Sequence, residues 1–192
     1  MDRKQMESVA ASNYYLRGLL VVPVGLVLVT SALGNMEWGP FRRLWTVPAS
    51  WVVAAAAYTL ILRYYNDTYG RAQPKVGARG VAGIAGAIVV MGGLPAVVQA
   101  LDLPLNGLAL GWAVVALAYY RLTVGLRPYH LVIWGATLVV ALVPLWGDPR
   151  TTNSPNVGLL IVAGAVTLTG VFDHRLLVRT LGSRPETTDA RP

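Results

Sequence analysis

His130 and His174 are the two imidazoles of this 192-residue chain, and each has neighbours that could put it to chemical use. His130 follows Arg127-Pro128-Tyr129, and His174 stands between Asp173 and Arg175. With Arg63, Asp67 and Arg121 they form the most chemically capable set in the sequence. Two imidazoles can ligate a b-type haem axially, or join Asp67 and Asp173 around a hard or borderline metal ion. Either could instead serve as a general base while Arg63, Arg121 and Arg175 hold a phosphate or a lipid headgroup. The plain alternative is that Asp-His-Arg at the end of an apolar helix is an interfacial anchor meeting headgroups and water.

What is missing narrows the choice further. The chain has no cysteine, so disulfides, thiolate metal sites, iron–sulfur clusters and cysteine nucleophiles all fall away. No Lys lies inside an apolar stretch, which removes a Schiff base of the retinal kind, and no Asp or Glu lies deep in one to carry an ion or a proton. There is no GxSxG elbow, no Walker loop and no paired acidic motif for magnesium-diphosphate chemistry. The sequence contains no complete catalytic set and calls for no cofactor, apart from the haem or metal that His130 and His174 could hold.

These residues are positioned by six apolar stretches, at about 17–34, 48–65, 80–101, 106–124, 129–147 and 157–178. A hydrocarbon core of about 30 Å takes roughly 20 helical residues, and each stretch supplies that or nearly so. Lipid offers the backbone no water, so a span is a helix or a closed barrel, and these stretches lack the alternation of a barrel strand. The expected fold is therefore all-α: a polytopic membrane protein of six transmembrane helices in a compact bundle. Residues 1–182 form one domain, and 183–192 are expected to be a disordered tail. The first stretch reads as a retained helix rather than a cleaved signal peptide, because its basic leader is long.

Charge sets the orientation. Of the 16 Lys and Arg residues, all but Arg42, Arg43 and Arg150 fall on one side when the helices alternate. Basic loops are kept in the cytoplasm, so both termini are expected there, in a bacterial inner membrane. The +7 net charge is dispersed over loop ends and suits anionic lipid headgroups, not nucleic acid. Tyr64, Tyr65, Tyr69, Tyr119, Tyr120 and Tyr129 read as inner interfacial anchors, and Trp38, Trp45, Trp51 and Trp146 as outer ones.

Small residues suggest where helices meet. Gly83 and Gly86 share a side of the third stretch, and Gly107 and Gly111 have the GxxxG spacing that brings backbones close, here toward a neighbouring helix. Pro95 is expected to kink the third helix. The exits Arg63-Tyr64-Tyr65, Tyr119-Tyr120-Arg121 and Phe172-Asp173-His174-Arg175 recur about 55 residues apart, which fits three helical hairpins or merely three hairpins of equal length. Two functions follow. The first is a non-catalytic membrane subunit that packs with itself or a partner protein. The second is a transporter or membrane enzyme for a small molecule or lipid, using the inner polar layer.

Overall fold

A computed structural model describes residues 16–69, 78–123, 125–143 and 153–181. The tail at 183–192 and the leader lie outside the described residues. Six α-helices are present and, among the described residues, no strand: α1 Val22–Asn35, α2 Thr46–Tyr69, α3 Ala78–Ala100, α4 Gly107–Thr123, α5 Pro128–Leu142 and α6 Asn153–Leu181. A 3-10 turn, Gly18–Val21, leads into α1, whose Pro23 sits in the first turn, where a missing N–H costs nothing. Among the described residues, four segments are long and apolar enough to cross a membrane: Gly18–Asn35, Thr46–Tyr69, Val81–Ala100 and Ser154–Thr180. α4 and α5, with 17 and 15 residues, are shorter. At 1.5 Å per residue they reach about 26 Å and 23 Å, less than the hydrocarbon thickness.

The helices do not share burial equally. α6 packs on α1, α4 and α5, and its most extensive contact is with α1, which joins the two ends of the described chain. α2 lies on α1, and α3 lies on α4. The result is a centre of α1, α4, α5 and α6 flanked by two peripheral helices, looser than the evenly compact bundle expected. Val52, Val53 and Leu60 of α2 and Ile84, Ile88 and Val89 of α3 face outward. The reason is steric. Alanines 109, 113 and 116 of α4 let α5 and α6 close in, and with Trp134, Val162, Ala165 and Val166 they make the largest buried cluster.

Glycines mark the close crossings, although not all the expected ones. A Cβ on Gly107 would lie 2.7 Å from the Cα of Pro95, and one on Gly111 3.5 Å from the carbonyl oxygen of Val90, so both face α3 within this chain. Pro95 itself is accommodated inside α3, which runs on to Ala100. Gly83 and Gly86, expected at a packing face, meet nothing within 4 Å, because α3 turns that side away from α4. The tightest crossing involves glycines that sequence spacing did not single out. Gly18 and Gly170 hold the 3-10 turn directly on α6, where a Cβ on Gly170 would stand 2.7 Å from Cγ2 of Val21.

Asn106 closes the opposite end of the centre. Its side-chain oxygen accepts the Ala109 N–H at 3.0 Å and so caps α4, and its amide nitrogen donates to the Ser154 carbonyl at 2.7 Å. Its own backbone N–H donates to the Ala141 carbonyl at 3.0 Å. One buried residue thus ties α4, α5 and α6. Asn106→Ala leaves the Ala109 N–H and the Ser154 carbonyl unmatched in an apolar setting and is expected to lower stability by about 1–3 kcal/mol. A thermal unfolding curve in detergent checks this, and an unchanged midpoint would refute the assignment.

Candidate functional site

The polar residues of interest gather at the end where α2 and α4 finish and α5 begins. α5 starts at Pro128, whose fixed φ suits a first helical turn, and this brings Tyr129 and His130 into that turn. The Arg127 N–H, just ahead of the helix, donates to Nδ1 of His130 at 3.3 Å. A nitrogen that accepts carries no proton, so the bond assigns His130 as the neutral tautomer with hydrogen on Nε2. That Nε2 lies 3.0 Å from Oδ1 of Asp173. The pair is therefore read as an imidazole donating to a carboxylate, a charge-assisted hydrogen bond.

Asp173 takes two further donors. The Tyr129 hydroxyl donates to Oδ1, and the Tyr120 hydroxyl donates to Oδ2 at 3.3 Å. The Tyr120 ring also stacks on the His130 ring, with centroids 3.7 Å apart and planes 21° from parallel. The His130 and Asp173 side chains are only 0% and 3% exposed. From the α1 side the 3-10 turn seals them: a Cβ on Gly18 would lie 2.6 Å from Cβ of Asp173. The carboxylate thus has three donors from two helices and little contact with solvent.

Asp173 is accordingly not the interfacial helix end that its sequence neighbourhood suggests. The apolar segment continues to Thr180, which at 1.5 Å per residue is about 10 Å further on. Further along α6, Leu177 is fully buried against Leu16 and Tyr65.

His174 belongs to a second cluster. Successive helical residues point about 100° apart, so when Asp173 turns to α4 and α5, His174 turns toward α2. Its Nδ1 lies 2.9 Å from the Tyr65 hydroxyl, and that oxygen accepts the Leu19 N–H at 3.2 Å. Arg17 donates to Oδ1 of Asn66 at 3.1 Å, with its guanidinium 5.7 Å from the centre of the Tyr65 ring. The two imidazoles therefore serve separate neighbours, and both nitrogens of His130 are already bonded, which is not the paired arrangement of an axial haem site. Among the described residues no group of three or more His, Asp or Glu gathers as metal ligands.

Of the candidate residues, the fold brings His130 and Asp173 into direct contact and leaves His174 half-buried beside them. Arg63, Asp67, Arg121 and Arg175 are exposed and take no part in either cluster. Sequence reading missed Tyr65, Tyr120 and Tyr129, which it assigned to the interface, and Arg17 and Asn66. The available signal was the adjacency of tyrosine to histidine or arginine at three helix ends. A tyrosine spacing cannot show whether the hydroxyl points at headgroups or inward. Compared with protein-family models, curated proteins and solved structures, the chain shows no match, so the site is interpreted from its own geometry.

Proposed function

We propose that this chain is a non-catalytic helical subunit of a bacterial cytoplasmic membrane, with all six helices crossing the bilayer and both termini in the cytoplasm. The observation that carries the reading is the closure of the Asp173 cluster. A working transport or catalytic site keeps an open position for its substrate. Here the carboxylate is enclosed by His130, Tyr120 and Tyr129, and these bonds join α4, α5 and α6. A polar network of this kind, with its members satisfied, specifies how helices pack in lipid. The orientation rests on the loop charges, and the exposed Arg63, Arg121 and Arg175 suit anionic headgroups. The subunit's contacts with a second copy or a partner protein belong to the peripheral helices. On α3, Gly83, Gly86, Gly92 and Gly93 present backbone with nothing within 4 Å.

Native mass spectrometry in mild detergent tests the reading, with Gly83→Leu/Gly86→Leu as the variant. The wild type is expected to fly as an oligomer or as a complex with another protein, and the variant as a folded monomer with an unchanged melting temperature. A monomeric wild type carrying a stoichiometric small molecule, lost in His130→Ala, would replace this reading with that of a transporter or enzyme.

A further inference from the structure

α2 lies on α1 with little of its surface buried, and it makes polar attachments toward both its start and its finish. Near its start, the Ser50 hydroxyl donates to Thr30 Oγ1 of α1 at 2.8 Å. Near its finish, Tyr65 is fully buried between the Leu19 N–H and His174, and Asn66 takes the Arg17 donor. Between these points a shallow apolar groove lies along the two helices, lined by Pro23, Val24, Val27, Trp51, Ala54 and Ala55, of which Ala54 is buried. Little of α2 is buried, so the two polar attachments add to a small packed area around Ala54 and Tyr65.

The attachment at Tyr65 depends on a proton. A buried hydroxyl hydrogen needs an acceptor, and Nδ1 of His174 at 2.9 Å is the one at hand. In this arrangement Tyr65 donates to a neutral imidazole and accepts from Leu19. An imidazolium has hydrogen on both nitrogens and accepts nothing. Protonation of His174 therefore removes the acceptor and leaves the Tyr65 hydroxyl hydrogen without its partner. It also sets a positive charge beside the Tyr65 ring on which Arg17 already rests.

We propose that the Tyr65–His174 bond is a proton-released latch that holds the end of α2 against α1 and α6. The charged and titratable groups around His174 are few. From α2 these are Tyr64, with its ring centre 6.3 Å away, and Tyr65; from the segment before α1, Arg17; and on α6, Asp173 and Arg175. Asp173 is committed to His130, Tyr120 and Tyr129, and Arg175 is exposed. His174 is half-buried, whereas His130 is enclosed. The latch acts on α2 alone and does not depend on the subunit role proposed above.

The chain lacks cysteine, so spin labels can be placed on Leu60→Cys of α2 and Val178→Cys of α6, both exposed positions, in the full-length protein in nanodiscs. Pulsed electron paramagnetic resonance is expected to give one distance at about pH 8 and a second, longer population at about pH 5, across the range in which histidine titrates. His174→Asn supplies an acceptor oxygen that does not titrate, and should hold the single short distance at both pH values. Tyr65→Phe, provided it folds, should show the longer population at both. A distance in the unsubstituted background that ignores pH overturns the proposal. So does a pH response that persists in His174→Asn, or a folded Tyr65→Phe that keeps the single short distance at both pH values.

Discussion

Asp173→Ala is expected to lower the stability of the protein by about 3–5 kcal/mol, because three buried donors lose one shared acceptor and each unsatisfied group costs about 1–3 kcal/mol. The loss has a definite origin. The Nε2–H of His130 and the hydroxyls of Tyr120 and Tyr129 all lose their acceptor at once, in a place that water reaches poorly. For a chain of this size a kilocalorie moves the melting temperature by about 2–4 °C, so a fall of roughly 10 °C is expected in detergent. Asp173→Asn keeps one carbonyl oxygen and the side-chain volume. It should recover about half the loss, because its oxygen in the place of Oδ1 still serves His130 and Tyr129 while its NH2 group in the place of Oδ2 can accept nothing from Tyr120. Equal melting temperatures for wild type and Asp173→Ala would show that the cluster does not hold α4, α5 and α6 together.

The second large effect is expected at the crossing of the 3-10 turn with α6. Gly170→Leu puts a branched side chain where even a Cβ would stand 2.7 Å from Val21 and 3.2 Å from the carbonyl carbon of Gly18. Neither neighbour is the end of a long flexible side chain, so the turn must lift from the helix. Overpacking of this kind costs about 1–3 kcal/mol, and more where it unseats a whole segment. Lifting the turn also uncovers Asp173, because Gly18 lies on its Cβ. Gly164, on the same helix, is the internal comparison, having nothing within 4 Å. Gly164→Ala should leave stability unchanged or raise it by about 0.5–1 kcal/mol through better helix propensity. Melting curves of the two variants check this, and similar losses in both would mean that the crossing is not as tight as described.

How much of this was legible beforehand differs between the helices and the site. All six apolar stretches are helices, with boundaries near the expected ones, because hydropathy is a property of a segment and needs no partner to be read. The ends differ in several places: α2 runs on to Tyr69, past the expected end at 65, and α6 begins at Asn153, ahead of the expected start at 157. α5 is described only to Leu142, and Val143 is extended, so the stretch through 147 is not all helix among the described residues. α6 runs to Leu181, past the expected end at 178. Gly107 and Gly111 face a neighbouring helix, but the partner could not be inferred from their spacing, and Gly83 and Gly86 have the same appearance in the sequence while facing outward.

The sequence by itself determined an all-helical chain with several segments apolar enough for a membrane, and it drew attention to a polar set of Arg63, Asp67, Arg121, His130, Asp173, His174 and Arg175. Only the tertiary structure decided which of them belong together. Asp173 and His174 are adjacent in the chain, yet the 100° step of the helix sends one to Tyr120, Tyr129 and His130 and the other to Tyr65. Whether a tyrosine at a helix end meets headgroups or a buried carboxylate depends on the rotation of that helix against its neighbours. That rotation is set here by contacts between distant residues: Gly18 with Gly170, and Asn106 with Ala141 and Ser154. Local composition encodes the solvent a segment prefers, and long-range packing encodes the direction its side chains face.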